Sequence, residues 1–107
     1  MTIQLEQQPI DGRIGQELMR ILPKGWQGIE LAAERRPEGL DSATYRTSLR
    51  ARHGEAGVAF VSEELEDALR GLFLLHDRRK TRMKLARYIV DHGEKGWKLV
   101  SEFEYEP

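Results

Sequence analysis

The chain of 107 residues contains no cysteine, and its apolar runs are short. The absence of cysteine excludes disulfides, thiol catalysis and thiolate metal sites. No run is long enough for a membrane span, and the N-terminus lacks the basic and apolar segments of a signal peptide. We therefore expect a cytoplasmic protein without a membrane-spanning segment.

Motifs for catalysis or cofactor binding are also missing. The ten glycines lie singly and form no phosphate-binding loop. None of the three histidines, His53, His76 and His92, has a carboxylate four residues away, as a helical metal site would require. His76 falls on an apolar helical stripe, where a hydrogen-bonded, partly buried ring is the commoner outcome. The sequence therefore predicts no enzyme activity, no metal and no cofactor.

Hydrophobic periodicity predicts an α+β fold. A loose polar arm, residues 1–9, is expected to precede a single domain, residues 10–107. Apolar residues at spacings of three and four indicate helices, and alternation at a spacing of two indicates strands. The predicted elements, in chain order, are a helix at 11–22 with Asp11 as N-cap, a three-strand antiparallel meander at 26–34, 43–52 and 58–61, a helix that begins after Ser62, and a C-terminal β-hairpin.

The first strand of that hairpin, residues 82–90, is ambiguous. Its apolar residues fit a helix at spacings of three and four as well as a strand at a spacing of two. The β-branched pair Ile89 and Val90 beside Tyr88 favours a strand, since a turn at 91–96 and a second strand follow. In that second strand Trp97, Leu99, Phe103 and Tyr105 alternate with Lys98, Glu102 and Glu104, the pattern of a half-buried antiparallel strand.

Three segments together resemble one known family. They are Leu22-Pro23-Lys24-Gly25-Trp26 after the first helix, a long second helix with an acidic start, and a closing hairpin that ends Phe103-Glu104-Tyr105-Glu106. From about residue 10 to the end, this pattern is similar to the YezG-like immunity proteins. The resemblance implies an α+β protein without catalytic activity. Its partner would be the C-terminal domain of a polymorphic toxin of the same bacterium, often a nuclease, which it would bind and silence.

Acidic residues near the C-terminus form the predicted partner-binding surface. An inhibitor of a nuclease commonly places carboxylates where substrate phosphates would lie, and such pairing also speeds encounter. Alternatively, these glutamates pair across strands with arginines of the second predicted strand, or only keep an open sheet face soluble. The candidate residues are Asp91, Glu94, Glu102, Glu104 and Glu106, with Arg46 and Arg50 on a possible second contact strand.

Two other functions remain open at the level of sequence. The basic run Arg78–Arg87 predicts a nucleic-acid-binding module as the alternative. Binding of nucleic acid is the less expected outcome, because the net charge is -1 and Tyr88 is the one stacking aromatic nearby. The third hypothesis is an assembly protein that pairs sheet edges and dimerises.

Overall fold

The computed structural model describes residues 3–35 and 45–107 and confirms the α+β class. The four strands form one antiparallel sheet in the order β2-β1-β3-β4, so that β1 and β3 are central. No described helix is long and apolar enough to cross a membrane. The elements are α1 (Ile3–Ile21), β1 (Gly28–Arg35), β2 (Tyr45–Ala51), α2 (Glu63–Arg78), β3 (Met83–Gly93) and β4 (Gly96–Tyr105).

Both helices pack on the same face of the sheet. Ile29, Leu31 and Ala33 alternate along β1 and are fully buried with apolar residues of α1 and α2. On β3 the buried set continues with Ala86, Tyr88 and Val90, whose partners in β1 are core residues. A strand sends alternate side chains to opposite faces, so the other set points away from the helices. We call that second surface the open face.

Helix α1 begins before the predicted boundary. Residues 3–9, expected to be a loose arm, form the first turns of the helix, and Pro9 lies inside it. Proline removes one intrahelical hydrogen bond, which argues against a helix on propensity alone. Here the N-terminal turns are tied to α2 instead, because Glu6 pairs with Arg78 and Arg79. The predicted N-cap, Asp11, is also wrong, since it lies within α1.

The third strand of the predicted meander does not form. The backbone at 58–61 belongs to no strand, although its side chains do alternate. Ala59 and Val61 pack against the core, whereas Val58 and Phe60 are exposed. The alternation correctly predicts a segment with one buried side. The segment is not a strand, however, because no described strand pairs with it. The first and second predicted strands correspond to β1 and β2, while 43–44 lie outside the described residues.

Helix α2 has a defined cap at each end. The Ser62 hydroxyl accepts a hydrogen bond from the Leu65 N–H at 3.1 Å, as expected for an N-cap. At the other end, Thr81 N–H bonds to the His76 carbonyl and Lys80 N–H to the Asp77 carbonyl, both at 3.1 Å. These two bonds form a Schellman motif. Lys80 occupies its left-handed position, with φ at 56°, where glycine is usual.

Of the ambiguous residues 82–90, all but Arg82 lie in β3, so the strand interpretation is confirmed from Met83 onward. The connecting turn is shorter than predicted. Asp91 to Gly93 still belong to β3, and Gly93 pairs with Gly96 around the two residues Glu94 and Lys95. Gly96 has a φ of 101°, a left-handed conformation that a side chain would disfavour, and this permits the tight turn.

A chain of buried polar side chains joins the helices to the sheet. The Tyr88 hydroxyl donates to the Asp11 carboxylate, which also accepts from the amide nitrogen of Gln7 at 3.2 Å. The Gln7 carbonyl oxygen in turn lies 2.7 Å from His76 Nε2, and the Thr81 hydroxyl lies 2.7 Å from His76 Nδ1. A neutral imidazole with a proton on Nε2 satisfies both contacts. Burial lowers the pKa of His76, while Asp11 and Asp77 oppose that shift.

The lowered pKa of His76 predicts a loss of stability in mild acid. The unfolded chain binds a proton on His76 as the pH falls below about 6.5, whereas the native ring resists it. The free energy of unfolding should therefore decrease between pH 7 and pH 5. In His76→Gln, it should be about 1–2 kcal/mol lower at pH 7 and should vary less with pH across this window. Denaturant titrations at several pH values measure both effects.

The matched control is His92→Gln, because His92 is exposed on β3. This variant breaks no buried hydrogen bond, so its free energy of unfolding at pH 7 should stay close to that of the wild type. An equal loss of stability at pH 7 in both variants would contradict the role given to the buried ring.

Candidate functional site

The open face is a ladder of cross-strand rungs. Each rung contains one residue from each strand, in the sheet order β2, β1, β3, β4. Charged residues dominate, and the described part of this face contains no aromatic side chain. Three rungs follow from the strand register: Arg50, Glu30, Ile89 and Val100; Ser48, Ala32, Arg87 and Glu102; Arg46, Glu34, Leu85 and Glu104.

Glu30 is the centre of the charge network on this face. Its side chain is only 9% exposed, although it lies on the side away from the helices. Arg50 and Arg52 bond to its two carboxylate oxygens at 2.9 Å and 3.0 Å. The Nε of Arg87 approaches from β3 at 3.5 Å. Three strands are thus joined by one carboxylate, and the arginines provide the cover that a helix supplies on the other face.

The same arginines hold Glu30 in its ionised form. The hydrogen bond from Arg50 is the largest cause of a lowered Glu30 pKa; burial opposes it, and Arg52 and Arg87 add to it. Because the folded-state pKa is depressed, the stability this carboxylate contributes is present above its unfolded-state pKa. It is lost as the pH falls through the folded-state value. Glu30 therefore acts as a structural anion at neutral pH.

Gly28 makes room for the next contacts of the network. A Cβ atom built there would lie 2.3 Å from Asp91 Oδ1, 2.8 Å from the Val90 carbonyl oxygen and 2.9 Å from Arg52 Cγ. The side chain of Arg52 passes over this position to reach Asp91, whose carboxylate also contacts His53 at 3.0 Å. The glycine is therefore needed for close approach on the open face, even though its backbone conformation is ordinary.

Several of the predicted partner-binding residues lie within ion pairs of this network. Arg50 pairs with Glu30, and Arg46 with Glu34 at 3.6 Å. Asp91 lies in β3 and not on the turn, and Arg52 neutralises it. Arg46, Arg50 and Asp91 thus already have ion-pair partners within the protein.

The β4 glutamates differ from them. Among the described residues, neither Glu102 nor Glu104 forms an ion pair or a side-chain hydrogen bond, and both are exposed on the open face. Glu106 lies just after β4 and contacts Arg82 at 3.8 Å, a long and exposed ion pair. Glu94 is exposed on the hairpin turn. The negative charge left without a partner on the described open face is therefore concentrated on β4.

The sheet order excludes the predicted pairing of β4 glutamates with β2 arginines. β2 and β4 are the two opposite edges, three inter-strand spacings or roughly 14 Å apart. The arginines of β2 meet the acids of β1 and β3 instead. Consequently, Arg46 and Arg50 share the open face with the hairpin glutamates but are not adjacent to them.

The basic run that suggested nucleic-acid binding is dispersed by the fold. Arg78 and Arg79 lie at the end of α2 beside Glu6, whereas Arg87 belongs to the open face beside Glu30. Arg82 contacts Glu106. The one nearby aromatic, Tyr88, is fully buried on the helix-facing side. Among the described residues, these cations thus form no continuous basic strip, and Tyr88 is not accessible for stacking beside them.

A shallow groove crosses one end of the open face. It encloses about 500 Å³ and is lined by side chains of both signs, among them Arg35, Arg87 and Glu104. In the described part of the chain, no group of three histidine or acidic side chains is arranged to hold a metal ion. Mixed charge in a broad groove fits contact with a charged protein surface better than a small-molecule pocket, which is mostly apolar.

Glu30, Arg52, Arg87 and Gly28 were missed as a connected group. In the sequence, Glu30 is one polar residue in an alternating strand, and nothing local separates it from Glu34. Its role depends on β3 lying next to β1 and on Arg52 crossing over Gly28. One feature of the sequence could have indicated the group: the second predicted strand is rich in outward-facing arginines, and such arginines need acidic side chains on a neighbouring strand.

The architecture defines the class: an α+β domain with one face of the sheet covered by helices and one charged face that no described helix covers. No protein-family model matches the chain, and no curated protein matches its sequence. The resemblance to YezG-like immunity proteins therefore stays a prediction. The geometry of the open face is what supports a function.

Substitution of Gly28 tests whether the fold needs the space above this residue for the side chain of Arg52. Gly28→Ala should lower the free energy of unfolding by about 1–3 kcal/mol, because the added methyl group meets backbone as well as side-chain atoms. Urea denaturation provides the measurement. Gly71→Ala is the control: nothing lies within 4 Å of its Cβ position in α2, so about 0.5–1 kcal/mol of stabilisation is expected. Equal effects at both positions would contradict the steric argument.

Neutralising single carboxylates separates structural from unpaired acids. Glu30→Gln should destabilise the fold by about 1–3 kcal/mol, since three arginines lose their shared anion. Glu102→Gln should change stability by less than about 0.5 kcal/mol, because it removes no ion pair of the fold. Thermal and denaturant unfolding of the two variants measure the difference. A cost at Glu102 as large as that at Glu30 would show that β4 also depends on its carboxylates.

Proposed function

We propose that the protein is a cytoplasmic immunity protein that binds the C-terminal domain of a bacterial toxin, a nuclease in the favoured case, and blocks its substrate-binding surface. It does so as a binding protein without catalysis of its own. The open face is the contact surface, and Glu102 and Glu104 on β4 are its principal charges. Glu94 and Glu106 extend the same edge.

The observation that carries this proposal is the unequal pairing of carboxylates. Glu30, Glu34 and Asp91 each have an arginine partner. Glu102 faces Arg87 in the strand register, yet no ion pair joins them, because Arg87 is directed to Glu30 instead. Glu102 and Glu104 thus keep their charge for a partner.

A nuclease offers a suitable partner surface, because its substrate site is built for phosphates. Two carboxylates at alternate positions of one strand are about 6.6–6.8 Å apart along the backbone and lie on the same face of the sheet. The backbone that carries them is already hydrogen-bonded to β3, so little backbone ordering is needed on binding. Arg46 and Arg50 at the other edge can meet acidic residues that surround such a site.

The test uses the toxin domain encoded beside this protein. Glu102→Gln combined with Glu104→Gln should weaken binding roughly 100-fold or more, because charged contacts at such interfaces are worth several kcal/mol together. Calorimetry or surface binding gives the affinity, and survival of a bacterial host that expresses the toxin domain gives the protection. Unfolding measurements should show wild-type stability.

The control is Gln8→Lys with Gln16→Lys, which changes the net charge by the same amount at exposed positions of α1 in the helix layer. It should bind the toxin domain like the wild type. If the β4 variant retains full affinity, or if the α1 control loses as much, the open face is not the contact surface. If the neighbouring gene encodes no toxin domain that the protein binds, the immunity function itself is wrong.

A further inference from the structure

β4 is an edge strand with an unusual amount of exposed apolar surface. Its ten residues end the sheet, so within residues 3–35 and 45–107 no strand lies along the outer side of its backbone. Long apolar edges of this kind are templates for pairing with another chain. Four of the nine large hydrophobic residues exposed in the described chain lie on it: Trp97 at 42%, Leu99 at 39%, Val100 at 40% and Tyr105 at 47%.

The backbone groups on the free side of β4 can be assigned. Gly96 closes the two-residue turn with Gly93, and Glu106 N–H bonds to the Arg82 carbonyl at 2.8 Å. Even-numbered residues therefore direct their backbone groups toward β3, since the direction alternates along an antiparallel strand. The irregularity of this ladder lies in β3, between Met83 and Leu85, so the alternation along β4 is unbroken. The N–H and C=O groups of the odd-numbered residues, 97 to 105, therefore point away from β3, and no described strand accepts them.

We propose that two copies of this chain pair through β4 in antiparallel fashion, with the two-fold axis at Ser101. In this alignment Trp97 lies opposite Tyr105 of the second copy, and Leu99 opposite Phe103. On the open face, Lys98 lies opposite Glu104. Every apolar residue of the helix-facing side thus meets an apolar residue, and the one cation of the strand meets an anion. The result is a continuous eight-stranded sheet.

Other alignments of β4 with itself are less complementary. An axis at Glu102 would place that carboxylate against its own copy, which is repulsive. An axis at Val100 would pair Leu99 with Ser101 and leave Tyr105 beyond the end of the ladder. On the helix-facing side, the apolar pattern of the strand is symmetric around Ser101, and this selects the alignment. On the open face, Val100 then lies opposite Glu102 of the second copy.

β2, the other edge, is unsuited to the same pairing. Its outward charges on the open face are Arg46 and Arg50, with Ser48 midway between them. An antiparallel pair centred on Ser48 would oppose these arginines to each other, whereas β4 carries charges of both signs. Self-association is therefore assigned to one edge of the sheet.

The pairing goes beyond the proposed function and needs no toxin. It uses the backbone edge of β4, while the open face of both copies still points to solvent. Glu102 of each copy lies beside the two-fold axis, and the cross-strand pair of Lys98 with Glu104 is exposed and hydrated, so both glutamates remain accessible. The dimer would bring two unpaired carboxylates to the centre of one wide face.

Single cysteines test the alignment directly, because the chain has none of its own. Ser101→Cys should form a disulfide-linked dimer under mild oxidation, since the two Cα atoms of such a pair are about 5.5 Å apart. Val100→Cys lies diagonal to its own copy at about 7–8 Å and should link poorly. Ser48→Cys, exposed on β2, is the control for random collision and should also link poorly. Non-reducing electrophoresis of dilute samples measures the yields.

Charge exchange provides the second test, without any cross-link. Lys98→Glu should raise the dimer dissociation constant in sedimentation experiments roughly tenfold, because it opposes like charges at two symmetric places. Adding Glu104→Lys to that variant should restore the wild-type value to within about threefold, since the signs are then exchanged on both sides. Rescue of this kind is not expected from a general loss of stability.

A wild-type chain that remains monomeric at all concentrations up to the millimolar range would overturn the proposal. So would preferential linkage of Val100→Cys or Ser48→Cys, which would assign the contact to another register or another edge. Preferential linkage of Ser101→Cys together with rescue by the charge exchange would establish it. All of these experiments use the chain alone, so their outcome is independent of toxin binding.

Discussion

Two helices can cover only one face of a four-stranded sheet, and the charge pattern of this protein follows from that constraint. The uncovered face needs polar groups, yet a polar group enclosed among neighbouring side chains needs partners. Glu30 is such a polar group, and Arg50, Arg52 and Arg87 are its partners. The aliphatic parts of these arginines cover the strands. Arg50 is largely exposed, whereas the side chains of Arg52 and Arg87 are only 33% and 32% exposed. In the described structure, side chains thus cover the open face in place of a second layer of helices.

The helix-covered face uses polar groups in a different way. The chain from Thr81 through His76 and Gln7 to Asp11 and Tyr88 joins α1, α2 and β3 within the hydrophobic core. Each member has a partner, which is the condition under which a buried network fixes one arrangement instead of weakening the fold. Apolar contacts hold the two layers together, but they tolerate sliding. The hydrogen bonds select one position of α1 along the sheet.

Periodicity predicted the elements whose structure is set locally. The apolar stripe of α2 and the alternation of β1 and β2 are present in the sequence and in the fold. β4 is a strand as predicted, but the prediction that it is half-buried is wrong, because its apolar side is largely exposed. Elements stabilised by distant residues were not predictable in the same way. Residues 3–9 look like an arm because Pro9 and the glutamines are poor local evidence for a helix, and their contacts with α2 come from about 70 residues further along the chain. At residues 58–61 the error is the opposite one, because a strand was predicted where none forms. Alternation of apolar residues indicates an extended backbone, but a strand also needs a neighbouring strand to bond to.

The candidate site illustrates the same limit, because strand order decides which charges meet. Acids on β4 and arginines on β2 are equally plausible partners in the sequence, and two central strands separate them in the fold. Once Glu30 and Asp91 have attracted the nearby arginines, including Arg87, the glutamates of β4 are left without partners. Glu102 and Glu104 are therefore available to a partner because Glu30 and Asp91, at the centre of the open face, pair with the nearby arginines. A surface whose central charges are neutralised by their own counter-charges, and whose unpaired carboxylates lie at one edge, attracts a positively charged partner to that edge.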